Sequence, residues 1–80
     1  MLTPEQLHSY IAQGLECLEL RVEGDGHHFE ALIVSKTFNG KTRVQRHQTV
    51  YQALGDRMRA EVHALSMRTL TPEEWEQAGG

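Results

Sequence analysis

The stretch from residue 18 to residue 35 places the strongest constraint on the fold of this chain. Its first part alternates strictly between apolar residues (Leu18, Leu20, Val22) and charged residues (Glu19, Arg21, Glu23). A period of two is typical of a β-strand with one buried side and one side in water. Gly24-Asp25-Gly26 follows, and because these residues tolerate positive φ, the chain is expected to reverse there into a second strand at about residues 28–35. The stretch therefore predicts a β-hairpin.

Helix signals flank the predicted hairpin on both sides. Thr3-Pro4-Glu5-Gln6 combines a capping threonine, a proline suited to the first helical position and a glutamine able to close a capping box, and an apolar stripe then continues to about Gly14. After a turn at 38–41, apolar spacing predicts a second helix from about residue 42 to residue 59. Gly55 is expected to loosen the last turns of that helix.

The C-terminal third adds one strand and one short helix. A third strand is expected at residues 62–69, and Thr71-Pro72-Glu73-Glu74 repeats the helix-opening signal before Trp75. The element order is α-β-β-α-β-α, so the predicted fold class is α+β: a three-stranded mixed sheet with helices packed on one face, formed by residues 1–80 as a single domain.

Composition limits the classes of function. Cys17 is the single cysteine of the 80 residues, so it forms no internal disulfide and no thiolate metal site by itself, which fits a reducing compartment. No apolar run approaches the roughly 20 residues of a membrane span, and the N-terminus lacks a signal-peptide pattern. Paired carboxylates, a nucleophile beside a base and a phosphate-cradling glycine loop are all missing from the sequence. We therefore expect a cytoplasmic protein that does not contact the membrane and is not an enzyme.

Charge is segregated along the chain. The net charge is −3, yet residues 31–55 contain no acid and form a basic island with His47 beside it, made of Lys36, Lys41, Arg43 and Arg46. Local potential governs encounters with charged partners more than net charge does, so this island predicts a surface for phosphates or for an acidic protein. The competing interpretation is an ordinary solvated helix start.

Five short segments, taken together, resemble the BolA family, closest to its IbaG-like branch. They are Gly-Asp-Gly-His-His-Phe at 24–29, Phe-Asn-Gly-Lys at 38–41, Arg-Val-Gln-Arg-His-Gln-Thr-Val-Tyr at 43–51, Val-His-Ala-Leu-Ser at 62–66 and Thr-Pro-Glu-Glu-Trp at 71–75. Each segment alone is weak, but their order and spacing make the combination specific. The resemblance implies a fold similar to class II KH domains, which agrees with the element order read from the residues.

The resemblance also implies a role and a site. Members of the family form a heterodimer with a monothiol glutaredoxin and share a 2Fe-2S cluster, which the glutaredoxin cysteine and glutathione hold on one side; the isolated protein is expected to bind no cluster. In this chain the family's histidine of the third strand is His63, and the second ligand comes from the loop at 25–28. On sequence alone, a histidine at the head of a strand is more often packed at a domain edge, and a histidine pair in a turn is often only solvated.

The second ligand is left open among three residues. Phe29 is expected to face the core, which puts His28 on the outer side of the strand and His27 at the freer tip, so His27 is favoured. Asp25 is a harder ligand that suits a cluster less well. Many family members carry a cysteine in this loop, and this chain has none there.

A nucleic acid is the alternative partner, because KH-like folds bind single strands and the basic island offers phosphate contacts. Two features oppose it: the overall charge is acidic, and the GxxG clamp of KH domains is absent, since residues 38–41 offer one glycine. Without a partner, the chain is expected to be a monomer or a weak homodimer.

Overall fold

The computed structural model describes residues 2–58 and 64–80 of the chain. In this part the elements follow the predicted order. They are α1 (Pro4–Gly14), β1 (Glu19–Gly24), β2 (Phe29–Val34), a 3₁₀ turn (Lys36–Phe38), α2 (Arg43–Leu54), a second 3₁₀ turn (Gly55–Met58), β3 (Leu65–Leu70) and α3 (Pro72–Gln77).

The strands form a mixed sheet in the order β1-β2-β3. β1 and β2 pair antiparallel as the hairpin, whereas β2 and β3 pair parallel, with Phe29 opposite Leu65 and Val34 opposite Leu70. A parallel pair needs a long crossover, and α2 lies within the connection from β2 to β3. The predicted α+β class, with a three-stranded mixed sheet and the element order α-β-β-α-β-α, is confirmed.

Each α-helix begins with the same local chemistry. Thr3 with Gln6, Thr42 with Gln45 and Thr71 with Glu74 form reciprocal capping boxes, in which the threonine hydroxyl and the side chain at the third helical position each accept a backbone N–H. These boxes satisfy amides that a helix start would otherwise leave unpaired.

Two predicted element boundaries differ from those of the structure. The expectation of a helix running to residue 59 is wrong: α2 ends at Leu54, because Gly55 takes φ 59° at its C-cap and turns the backbone into a 3₁₀ turn. Of the third strand predicted at residues 62–69, the structure shows β3 at Leu65–Leu70, and residues 62 and 63 of that prediction lie outside the described part of the chain.

The main core lies between the inner face of the sheet and the two longer helices. Its fully buried members come from both layers and from the turn after β2, and they include Leu7, Ile11, Phe29, Ile33, Phe38, Val50 and Leu54. Burying side chains of this size stabilises a fold by about 1.5–3 kcal/mol each, measured against full exposure. This core fixes the sheet that carries the candidate site.

The prediction that the helices pack on one face holds for α1 and α2, whereas the short helix α3 reaches the opposite face of the sheet. Arg21 alternates to this outer face, and its guanidinium carbon lies 5.3 Å from the centre of the Trp75 ring. Val34, also on this face, is fully buried although it lies outside the main core cluster. α3 therefore adds a small cover at one corner of the face that α1 and α2 leave open. None of the helices in the described ranges is long and apolar enough to cross a membrane.

Candidate functional site

The tip of the β1–β2 hairpin is a tight turn at residues 25–28. The Asp25 amide donates to the His28 carbonyl at 3.2 Å, which makes Gly26 and His27 the two central residues. Gly26 has φ 90°, and His27 does not have positive φ. Positive φ at a central position of a tight turn favours glycine, which has no Cβ. The turn is thus centred slightly later than the predicted Gly24-Asp25-Gly26, since Gly24 is the last residue of β1.

The Asp25 carboxylate organises this turn. One of its oxygens, Oδ1, accepts hydrogen bonds from the backbone amides of both His27 and His28, each at 2.8 Å. These two bonds favour the ionised form, so they hold the pKa of the Asp25 carboxyl below its usual range, with the His28 amide contributing most. The carboxylate therefore carries a negative charge at neutral pH and fixes the backbone of the two histidines.

The base of the turn is anchored to the core. Phe29 is buried, as predicted, and faces the helices. A Cβ added at Gly24 would overlap the His28 carbonyl oxygen and lie 2.8 Å from Cδ1 of Phe29, so only glycine fits there. The side chains of Asp25, His27 and His28 are all exposed. The sequence thus places two accessible imidazoles on a turn that is held from both sides.

The tip lies at the end of the sheet where β3 begins, because Phe29 pairs with Leu65 in the parallel register. His63, the other predicted ligand, precedes Leu65 by two positions in the sequence and lies outside the described residues. Within residues 2–58 and 64–80, no three His, Cys, Asp or Glu side chains are grouped so as to hold a metal ion. The structure brings together Asp25, His27 and His28, and the assignment of His63 stays a prediction.

The residues of the basic island do not form one surface. Lys36 and Arg43 are exposed, whereas Lys41 is half-buried and donates from Nζ to the Thr49 hydroxyl at 3.1 Å. His47 is also half-buried, and its Nε2 is enclosed without a hydrogen-bond partner in the described part of the chain. Burial, and then the positive charge of Arg43, lower the pKa of the His47 imidazole.

Arg46 is occupied by internal contacts. Its Nε donates to the Lys41 carbonyl at 3.0 Å, and its Nη1 donates to the Thr69 carbonyl at 3.1 Å. The same guanidinium binds both carboxylate oxygens of Glu74, at 2.6 and 3.3 Å. Arg46 lowers the pKa of the Glu74 carboxyl to about 2, with help from the Thr71 amide. Arg46 thus joins α2, β3 and α3.

Arg68 is an exposed basic residue near Arg43 that was not among the predicted surface residues. A groove of about 530 Å³ runs between α2, the end of β3 and α3, and three arginines line it: Arg43, Arg46 and Arg68. Of these, Arg43 and Arg68 form no ion pair within the described residues. The period-two pattern of β3 was the available signal, because Leu65 and Thr69 point inward and Arg68 must then point outward.

Cys17 behaves as a packing residue. It is half-buried beside the core, its Sγ donates to the Leu15 carbonyl at 3.4 Å, and burial raises the pKa of the thiol. A raised pKa keeps the thiol protonated and poorly nucleophilic.

Comparisons with known proteins agree with one another. Residues 5–74 match the family model described as BolA-like protein. The chain is 37% identical over 71 residues to the acid stress protein IbaG of Escherichia coli, covering 88% of this chain and 84% of that protein. It is 44% identical over 52 residues to the DNA-binding transcriptional regulator BolA of Haemophilus influenzae, covering 65% of this chain and 50% of that protein. The solved structure of a bolA protein homologue from Coxiella burnetii superposes with a TM-score of 0.80 at 48% identity, covering 95% of this chain and 99% of that one.

Proposed function

This chain belongs to the BolA-like family, and from that premise we propose that it is a non-enzymatic binding partner of a monothiol glutaredoxin. In the heterodimer it contributes ligands to a shared 2Fe-2S cluster, one from His63 and one from the hairpin tip. The cluster would serve iron-sulfur trafficking or iron regulation.

The observation that carries the proposal is the ordered, solvent-facing tip with two adjacent histidines. Their imidazoles are exposed while their backbone amides are fixed by Asp25, so a ligand can be offered to a cluster held on another protein without reordering the loop. Neutral imidazole is a competent iron ligand. A cluster bound by histidine in place of thiolate has a higher reduction potential, and that chemistry suits sensing or transfer.

We propose that the second ligand is one of the two histidines of the tip. His27 is a central residue of the turn and His28 flanks the strand, so their side chains leave the backbone in different directions, and only one is expected to meet a cluster shared with His63. We retain His27 as the first choice and His28 as the second.

The test is spectroscopic. A cluster-loaded monothiol glutaredoxin is titrated with the protein, and visible absorption and circular dichroism are recorded. The spectrum is expected to change with the wild type and to stay unchanged with His63→Ala, whereas one of His27→Ala and His28→Ala also loses the change. His8→Ala is the matched control, because His8 is an exposed histidine on α1. A normal spectral change with His63→Ala would defeat the ligand assignment.

A second candidate function is binding of a nucleic acid, and the exposed Arg43 and Arg68 at one groove favour it. The relative from Haemophilus influenzae is named as DNA-binding. If these arginines contact phosphates, Arg43→Gln with Arg68→Gln lowers the slope of log K against log salt by roughly two, while Lys36→Gln has less effect. An unchanged slope in the double variant would remove this candidate.

A further inference from the structure

We propose that Asp25 is a positioning residue for the ligand loop, and that its carboxylate holds the tip histidines in place without coordinating the cluster itself. This inference rests on the proposed function, and it changes the part assigned to Asp25, which the sequence left open as a ligand.

The Asp25 Oδ1 atom bonds directly to the backbone of both tip histidines. Both amides that this oxygen accepts belong to the candidate ligands themselves, and both bonds are 2.8 Å long. In a two-residue hairpin turn, the amide of the fourth residue ordinarily faces the carbonyl of the first. Here the His28 amide donates to the Asp25 side chain instead, so the carboxylate replaces part of the backbone bonding of the turn.

Few other contacts restrain the tip among the described residues. Among the described residues, Asp25 provides the side-chain hydrogen bonds to this turn, and Phe29 provides its anchor in the core. Gly26 adopts positive φ and has no Cβ, so it adds little steric restriction to the turn. Without the carboxylate, the backbone of both histidines would sample more conformations, and presenting an imidazole would cost conformational entropy.

The Asp25 carboxylate is better suited to accepting hydrogen bonds from the turn than to binding the cluster. Oδ1 is engaged by two N–H donors, so coordination of a metal by Asp25 would have to use the other carboxylate oxygen, Oδ2, while Oδ1 continues to hold the turn. A carboxylate is also a harder ligand than imidazole or thiolate. An asparagine at this position would keep an oxygen that accepts from the amides but would lose the anionic ligand. Asp25→Asn and Asp25→Ala therefore separate positioning from coordination.

The first measurement uses the isolated protein and needs neither cluster nor partner. Backbone amide hydrogen exchange is followed by NMR in the wild type, Asp25→Asn, Asp25→Ala and the control Glu23→Ala, whose side chain is exposed on β1. Exchange at the His27 and His28 amides is expected to rise by about tenfold in Asp25→Ala and to change much less in Asp25→Asn. Equal exchange in Asp25→Ala and the wild type would overturn the proposal.

The second measurement repeats the titration of cluster-loaded glutaredoxin with the same variants. Asp25→Asn is expected to give the wild-type spectrum, and Asp25→Ala is expected to need about ten times more protein for the same change. Equal loss in both variants, with exchange still slow in Asp25→Asn, would assign coordination to the carboxylate and refute positioning. If the wild type itself leaves the spectrum unchanged, the proposed function fails, and any amide protection then marks only a structural turn.

Discussion

Replacing Arg46 with methionine should weaken the fold more than any other change on the basic island. Methionine keeps most of the length of the side chain and removes the guanidinium, so the Lys41 and Thr69 carbonyls lose this donor. The Glu74 carboxylate also loses the guanidinium but keeps its hydrogen bond from the Thr71 amide. The side chain of Arg46 is only 14% exposed, so water replaces these bonds poorly. Without the guanidinium, the hydrogen bonds through which Arg46 joins α2 to β3 and α3 are lost, and the side chain contributes only apolar packing there.

The two backbone carbonyl bonds determine the size of the effect. A hydrogen bond that involves a charged group contributes about 1.5 kcal/mol or more to stability, so the loss of two predicts a fall of about 3 kcal/mol in the free energy of unfolding. The Glu74 pair adds little to this figure, because that carboxylate is 43% exposed and screened by solvent. For a small domain this is a large fraction of total stability.

Urea denaturation followed by far-ultraviolet circular dichroism measures this difference. Arg43→Met is the matched control, because Arg43 lies three residues earlier on α2 and is exposed, and its expected change is within about 0.5 kcal/mol. If Arg46→Met is no less stable than Arg43→Met, the structural assignment of Arg46 is refuted. If it is confirmed, variants of Arg46 cannot serve to map a docking surface.

Two further predictions concern His47 and Gly24. Burial lowers the pKa of His47 in the folded state, so the neutral imidazole contributes its full stability above the ordinary pKa of 6.5 and this contribution is lost as the pH falls below that value. The unfolding free energy of His47→Gln should therefore depend less on pH, between 7.5 and 5.5, than that of the wild type. An equal pH dependence in the two proteins would contradict this. Gly24→Ala should lower the urea midpoint, because the added Cβ meets the His28 carbonyl and the buried Phe29 ring, at a cost of about 1–3 kcal/mol. The control Glu23→Ala should leave the midpoint unchanged. An unchanged midpoint in Gly24→Ala would show that the backbone at the base of the hairpin can shift to accommodate a Cβ.

Local signals predicted the fold where short-range chemistry decides it. The capping boxes at Thr3 and Thr71 fix helix starts within four residues, and the alternation from Leu20 to Glu23 indicates which side of β1 is buried. The prediction for Leu18 is wrong, because this residue precedes β1 and its side chain is 65% exposed. The end of α2 was missed because the apolar spacing continues past Gly55, and only the backbone shows that this glycine takes positive φ. Periodicity identifies a helix better than it locates the helix end.

The candidate site was predicted in its parts but not in its roles. Exposure of His27 and His28 and burial of Phe29 follow from the strand pattern and are confirmed. The roles of Asp25 and Arg46 depend on where their polar atoms point, and for Arg46 on partners 23 and 28 residues away in the sequence. The sequence shows that Asp25 and Arg46 are charged, but it does not show which atoms their side chains contact. The expected cluster, the glutaredoxin and the oligomeric state stay predictions.

The hairpin tip and the Arg46 contacts lie at opposite ends of β3. The tip faces the start of the strand, where Phe29 pairs with Leu65, and Arg46 binds the Thr69 carbonyl four residues further on, roughly 13 Å along a strand. Over such a distance, with no shared partner, effects on stability are expected to add. The double variant Asp25→Ala with Arg46→Met should therefore lose the sum of the two single losses in urea, within about 0.5 kcal/mol. A larger deviation would mean that the sheet couples its two ends, and cluster binding at the tip would then respond to whatever docks beside α3.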